Sequence, residues 1–184
     1  MYYTGIGAYN VRSGDLLTAI AVASMLAKKG YTLRSGHSQG VDRAFELGAG
    51  GKANIYLPWR SFGTKAHKKD SGSPVNGTWL SGTLGRKSSR YRAMLDVCKF
   101  LKVDLEKLGN GVQLLLERYV ACLLGRDNNE EKSRFLVIAD YGRKGSLIPI
   151  IVEVAKIHCI PVANITQLGK NKAVKVVKEC MDCS

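Results

Sequence analysis

The sequence has no apolar run near the roughly 18 residues that cross a bilayer. Its first residues, MYYTGIGAYNVR, lack a basic stretch leading into an apolar one, so no secretion signal is expected and the expected location is cytoplasmic. Histidine is scarce. His37, His67 and His158 lie far apart, and they do not add ligands to the Cys180–Cys183 spacing, so no metal site is expected. The five cysteines (Cys98, Cys122, Cys159, Cys180, Cys183) are odd in number and scattered. They read as reduced thiols, not as a disulfide framework. Acidic residues are also few: 15 Asp and Glu stand against 28 Lys and Arg, a net charge of +13. Such an excess implies attraction to polyanions or anionic ligands.

What is present is ordinary for a globular protein: 184 residues, 45% hydrophobic and 23% charged. The expectation is one domain over 1–184 with an insertion over about 59–115. Tyr2–Gly7, Tyr31–Ser35 and Asn54–Pro58 read as short buried strands. Between them, Asp15–Lys29 and Val41–Gly48 carry helical apolar spacing, the first with Ser13 or Asp15 as a cap and Gly30 as a stop. Further helices are expected at about Tyr91–Lys107, Gly111–Leu124, Leu147–His158 and Lys172–Met181, with strands at Arg134–Ala139 and Ile160–Ile165. This β-turn-α order predicts an α/β protein with a mainly parallel sheet flanked by crossover helices. Residues 59–92 show no clear period. They hold Arg60, Lys65, Lys68, Lys69, Arg86, Lys87, Arg90 and Arg92 against Asp70, with Trp59, Phe62, Trp79 and Tyr91 interleaved. Basic side chains among aromatics suit a nucleic-acid backbone with stacked bases; a solvated loop has the same composition.

Three glycine loops share one design: TGIG after the first strand, SGHSQG after the second and DYGRKGS after a later one. In a parallel sheet such loops gather at the carboxyl edge, where open α/β sheets bind ligands. Glycine allows close approach of the backbone, and N–H groups at the following helix starts can cradle an anion. The candidate phosphate- or nucleotide-binding residues are Gly5, Gly7, Arg12, Arg34, Ser35, Gly36, His37, Ser38, Gly40, Asp42, Tyr141, Gly142, Lys144, Gly145 and Ser146, with Arg143 adding charge. The candidate nucleic-acid contacts are Lys68, Lys69, Arg86, Lys87, Arg90, Arg92 and Trp79. Arg118, in an apolar helix, would bind phosphate if it faced the cleft; a surface salt bridge is the ordinary role.

Ser35-Gly36-His37-Ser38-Gln39-Gly40-Val41-Asp42-Arg43-Ala44 resembles the S-G-x-A-x-G-[IVA]-D-x-A signature of the DNA-processing protein A (DprA/Smf) and Lonely Guy (SLOG) superfamily. Lys144-Gly145-Ser146-Leu147-Ile148 is similar to the GSLI motif of the DprA branch, and the short strands resemble compact, stand-alone phage-type members. The resemblance implies a modified Rossmann fold whose cleft holds a nucleotide or single-stranded DNA. The Lonely Guy hydrolases carry PGGxGTxxE. The matching stretch here, Asp140–Pro149, has no acid at that helix position, and Glu153 lies about two turns further on. The expected function is therefore DprA-like binding of single-stranded DNA, through the cleft and the basic insertion, with no catalytic residues and no cofactor. The alternatives are a nucleotide-sensing or nucleotide-sequestering protein and a nucleoside monophosphate phosphoribohydrolase. A homodimer is compatible with the resemblance; no membrane partner is expected.

Overall fold

The computed structural model describes residues 1–59, 62, 77–79, 94–95, 98–99, 102–125, 131–143 and 145–182. Among them, six parallel strands form one sheet: β1 (Tyr2–Gly7), β2 (Thr32–Ser35), β3 (Ala53–Leu57), β4 (Gly77–Trp79), β5 (Leu136–Ala139) and β6 (Val162–Asn164), in the order β4-β3-β2-β1-β5-β6. The chain steps outward from β1 to β4, then returns to lay β5 on the other side of β1. That reversal opens a crevice beyond the carboxyl ends of β1 and β5.

Strands buried on both faces explain the near-continuous apolar runs. Period-2 alternation then sorts each side chain to one layer. Tyr3, Leu33, Phe135 and Val137 pack against α1 (Ser13–Lys28), α2 (Val41–Ala49) and α5 (Gly169–Asp182). Ile6, Leu136 and Ile138 pack against α3 (Asn110–Leu124) and α4 (Ile148–Ile157) on the opposite face. On α1, Ala19, Val22, Ala23 and Leu26 are fully buried at helical spacing. Burying Val22 and Leu26 contributes roughly 1.5–3 kcal/mol each.

Three local expectations change. The start of α1 follows Arg12 and has no side-chain cap; the Asp15 carboxylate instead accepts the Gln167 N–H at 2.8 Å and the Tyr141 hydroxyl. The helix expected over 91–107 cannot reach Lys107. Residues 94–95 and 98–99 are helical, but Lys102 has φ 55, and a separate 3-10 turn follows at Leu105–Lys107, where Asp104 accepts the Glu106 N–H. Strand β4 falls in the stretch that showed no period, because three edge residues are too few to alternate visibly.

Candidate functional site

All six strands run the same way, so the loops after β1, β2 and β5 meet at one edge. There they surround a cleft of about 390 Å³. The β1 loop contributes Gly7, Ala8, Tyr9 and Asn10, the β2 loop Ser38, and the β5 loop Asp140, Arg143, Gly145 and Ser146. Leu115, Arg118 and Tyr119 reach it from α3, and Phe62, Leu147 and Ile148 complete the wall. Positions 115, 118 and 119 share one helix face, because i, i+3 and i+4 are neighbours on a helix surface.

Most polar groups of the β1–β2 half of this edge are met from within, although Glu46 Oε1 has no partner among the described residues. Asp42 is fully buried and accepts the Gly7 N–H at 3.0 Å and the Ser38 N–H at 3.1 Å. It thereby clamps the two loops together and takes two amide donors that a phosphate would otherwise use. Burial pushes the Asp42 carboxyl up to about 6, while the Arg118 charge pulls it the other way. His37, buried in a left-handed conformation at φ 63, places Nδ1 2.7 Å from Glu46 Oε2, and Arg43 donates to the same oxygen at 3.0 Å. The Ser35 hydroxyl donates to the Gly5 carbonyl at 2.8 Å. Arg34 donates to the Glu131 carbonyl at 2.7 Å and lies 3.9 Å over the Tyr2 ring.

The other half is left open. Arg118 is 1% exposed and donates to the Gly36 carbonyl at 2.8 Å and to Ser38 Oγ at 3.0 Å. The Tyr119 and Phe62 rings lie 4.1 and 5.0 Å from its guanidinium carbon. Its Nε has no hydrogen-bond partner, and no carboxylate forms an ion pair with it among the described residues. Asp140, just after β5, receives the Ser146 hydroxyl on Oδ2 at a long 3.3 Å, and its buried Oδ1 has no partner among the described residues. Ser146 Oγ also accepts the Ile148 N–H at 3.2 Å, so it serves the start of α4. The first turn of α4 carries no acid, which leaves the positive end of the helix dipole uncancelled. A second hollow of about 330 Å³ lies beside the cleft, lined by Asn10, Val11, Arg12, Tyr141 and Arg143. Arg12 sits 5.9 Å over the Tyr141 ring.

The sequence candidates therefore divide. Gly7, Ser38, Gly145 and Ser146 line the main cleft, and Arg12 and Tyr141 the second hollow; Gly142 is exposed on the connecting loop, at φ 66. Gly5, Arg34, Ser35, Gly36, His37, Gly40 and Asp42 do not line either of these two spaces. Gly5 is inside β1, where a Cβ would meet the Phe45 ring at 2.7 Å and Leu33 at 2.9 Å. Gly36 lies against Arg118, with 2.6 Å from an added Cβ to Nε. Gly40 has φ 85 and abuts the Ala8 and Tyr9 carbonyls, so its glycine serves the backbone crossing. Lys144 and the basic residues Lys68, Lys69, Arg86, Lys87, Arg90 and Arg92 lie outside the described residues. Trp79 ends β4 at the sheet edge, its backbone in register with Leu57. Asp140, Tyr119, Tyr9 and Asn10 went unmarked in the sequence. Arg118 had one signal, a charge within an apolar helix, and its register toward the cleft is set by tertiary packing.

The fold and the cleft together define a Rossmann-like α/β protein with a crevice at its topological switch point. No family model and no curated protein sequence matches the chain. Among solved structures, its fold is similar to that of DNA processing protein A from Helicobacter pylori, with a TM-score of 0.51 and 15% identity, over 97% of this chain and 72% of that one. That protein was described for its unique single-stranded DNA binding mode. No described helix is long and apolar enough to cross a membrane.

Proposed function

We propose that this chain binds single-stranded DNA without catalysis, holding a phosphate in the carboxyl-edge cleft against Arg118 and Arg143. The observation that carries the reading is Arg118, a buried guanidinium that lines the cleft and forms no ion pair among the described residues. Asp42 offsets this buried charge only from a distance, and an anion arriving at the cleft stabilises it further. Guanidinium also presents the fork geometry that suits phosphate oxygens. The fold it shares with a DNA-binding protein and the net charge of +13 favour a polyanion as the ligand. From the cleft the strand would pass to the basic segment around Lys68, Lys69, Arg86, Lys87, Arg90 and Arg92, with Trp79 as a stacking candidate.

Hydrolysis is disfavoured, because Glu153 pairs with Lys156 at 2.6 Å and is not among the cleft-lining residues. A nucleotide-binding reading gains support from Asp140, whose free oxygen suits a base or sugar donor. The cleft volume also falls in the usual range for small-molecule sites. Salt dependence separates the two readings. With a fluorescent oligothymidylate, contacts at Arg118 and Arg143 alone give a slope of about −1.4 in log K against log salt, and recruiting six more basic residues takes it toward about −5.6. A protein that ignores the oligonucleotide at low salt yet retains a mononucleotide would overturn the DNA reading.

A further inference from the structure

A carboxylate is an odd guest in a cleft meant for phosphate, because it repels the ligand's charge unless something else about the ligand uses it. Asp140 is such a carboxylate, the one among the described residues that line the cleft. It is not held in an ion pair, and it belongs to no group of metal-ligating side chains among the described residues. Among the described residues, its only side-chain hydrogen bond is the 3.3 Å contact from Ser146, and Oδ1 is buried without a partner. Leaving a buried acceptor unmet is costly, so the position asks for a donor that the free protein does not supply. Rotation about χ2 is soft for aspartate and turns either oxygen toward the cleft.

We infer that Asp140 reads the nucleobase, accepting N–H donors from its Watson–Crick edge while Arg118 holds phosphate. This rests on the nucleotide or nucleic-acid reading of the cleft. Among the bases, guanine matches best. It presents two adjacent donors, the ring N1–H and the exocyclic amino group, to the two oxygens of one carboxylate. Thymine flanks its single N–H with two carbonyls that oppose a carboxylate. Ser146 holds Oδ2 only weakly, so a turn about χ2 that brings the buried Oδ1 to the cleft lets both oxygens meet such a pair.

The test compares oligothymidylates that carry one central deoxyguanosine, one deoxyinosine (which lacks the amino group) or neither, on wild-type protein and on Asp140→Asn. The expected result is roughly tenfold tighter binding of the guanosine strand than of the other two. In Asp140→Asn that preference should vanish while the salt slope stays unchanged, since no phosphate contact has been removed. Equal affinity for the three strands in the wild type overturns the inference, as does a preference that survives in Asp140→Asn. If no strand binds, GMP and IMP are compared directly. An Asp140-dependent preference for GMP then sustains the base-reading role while removing the polymer from the function, and indifference between the two removes both.

Discussion

Arg34 and Arg118 are buried to the same degree, each 1% exposed, yet of the two only Arg118 lines the cleft. On the β1–β2 side, Arg34, Ser35, His37 and Asp42 meet partners within the protein: a carbonyl and a ring, a carbonyl, a carboxylate, two amides. On the side built by α3, β5 and the start of α4, Arg118 and Asp140 line the cleft, and Asp140 Oδ1 has no partner among the described residues. The same residue types thus hold the loops in place on one side and line the cleft on the other. Glycine divides the same way. Gly5 and Gly36 give room to neighbouring side chains, whereas an added Cβ on Gly145 meets nothing within 4 Å.

The largest effect expected from breaking this contrast is at Asp42. Asp42→Ala strands the Gly7 and Ser38 N–H groups and should cost about 3 kcal/mol of stability in a urea titration. The pH dependence gives the same clamp a second signature. The carboxyl titrates at about 6 in the fold against an ordinary 3.8, so the folded state holds the proton more tightly. Its stabilising contribution is complete below 3.8 and is lost as pH rises through 6. Relative to Asp42→Ala, the wild type should therefore gain about 1 kcal/mol as pH falls from 7 to 5. A difference that runs the other way with pH would show that the clamp favours the charged form.

A smaller effect is expected at Gly5. Gly5→Ala drives a methyl group into Phe45 and Leu33 and should destabilise by about 2 kcal/mol, with affinity per folded molecule unchanged. Weakened binding in a correctly folded variant would return Gly5 to the site. Gly145→Ala is expected to be mildest in stability, about 1 kcal/mol from placing a side chain at φ 85, since the space around it is open. Its oligonucleotide affinity should nevertheless fall, because the new methyl group enters the cleft mouth. Unchanged affinity would limit the binding surface to α3 and Asp140.

The parallel α/β fold was legible because strands such as Leu136–Ala139 are apolar throughout and are punctuated by glycine turns, which is how a doubly covered sheet is written. The convergence of three loops followed from that topology. Individual roles did not. Tight βα turns and anion cradles both call for glycine, and only tertiary contacts show that Gly5 faces Phe45 while Gly145 faces open space. Asp42 could be read as a helix-start acid or as a ligand group, and its clamp across 35 residues to Gly7 has no local pattern. Asp140 likewise becomes noticeable only once its oxygens are counted against available donors.

The central claim is that Arg118 is the buried cation to which the phosphate comes. It is tested by titrating a fluorescent oligothymidylate into wild-type protein, Arg118→Gln and Arg34→Gln, at about 50 and 200 mM salt. Arg118→Gln should weaken binding by about 2 kcal/mol, roughly thirtyfold, and flatten the salt slope by about 0.7, while folded Arg34→Gln binds as the wild type does. Equal affinity and equal slope for wild type and Arg118→Gln, or a loss confined to Arg34→Gln, would contradict the division between a settled half and a receptive one.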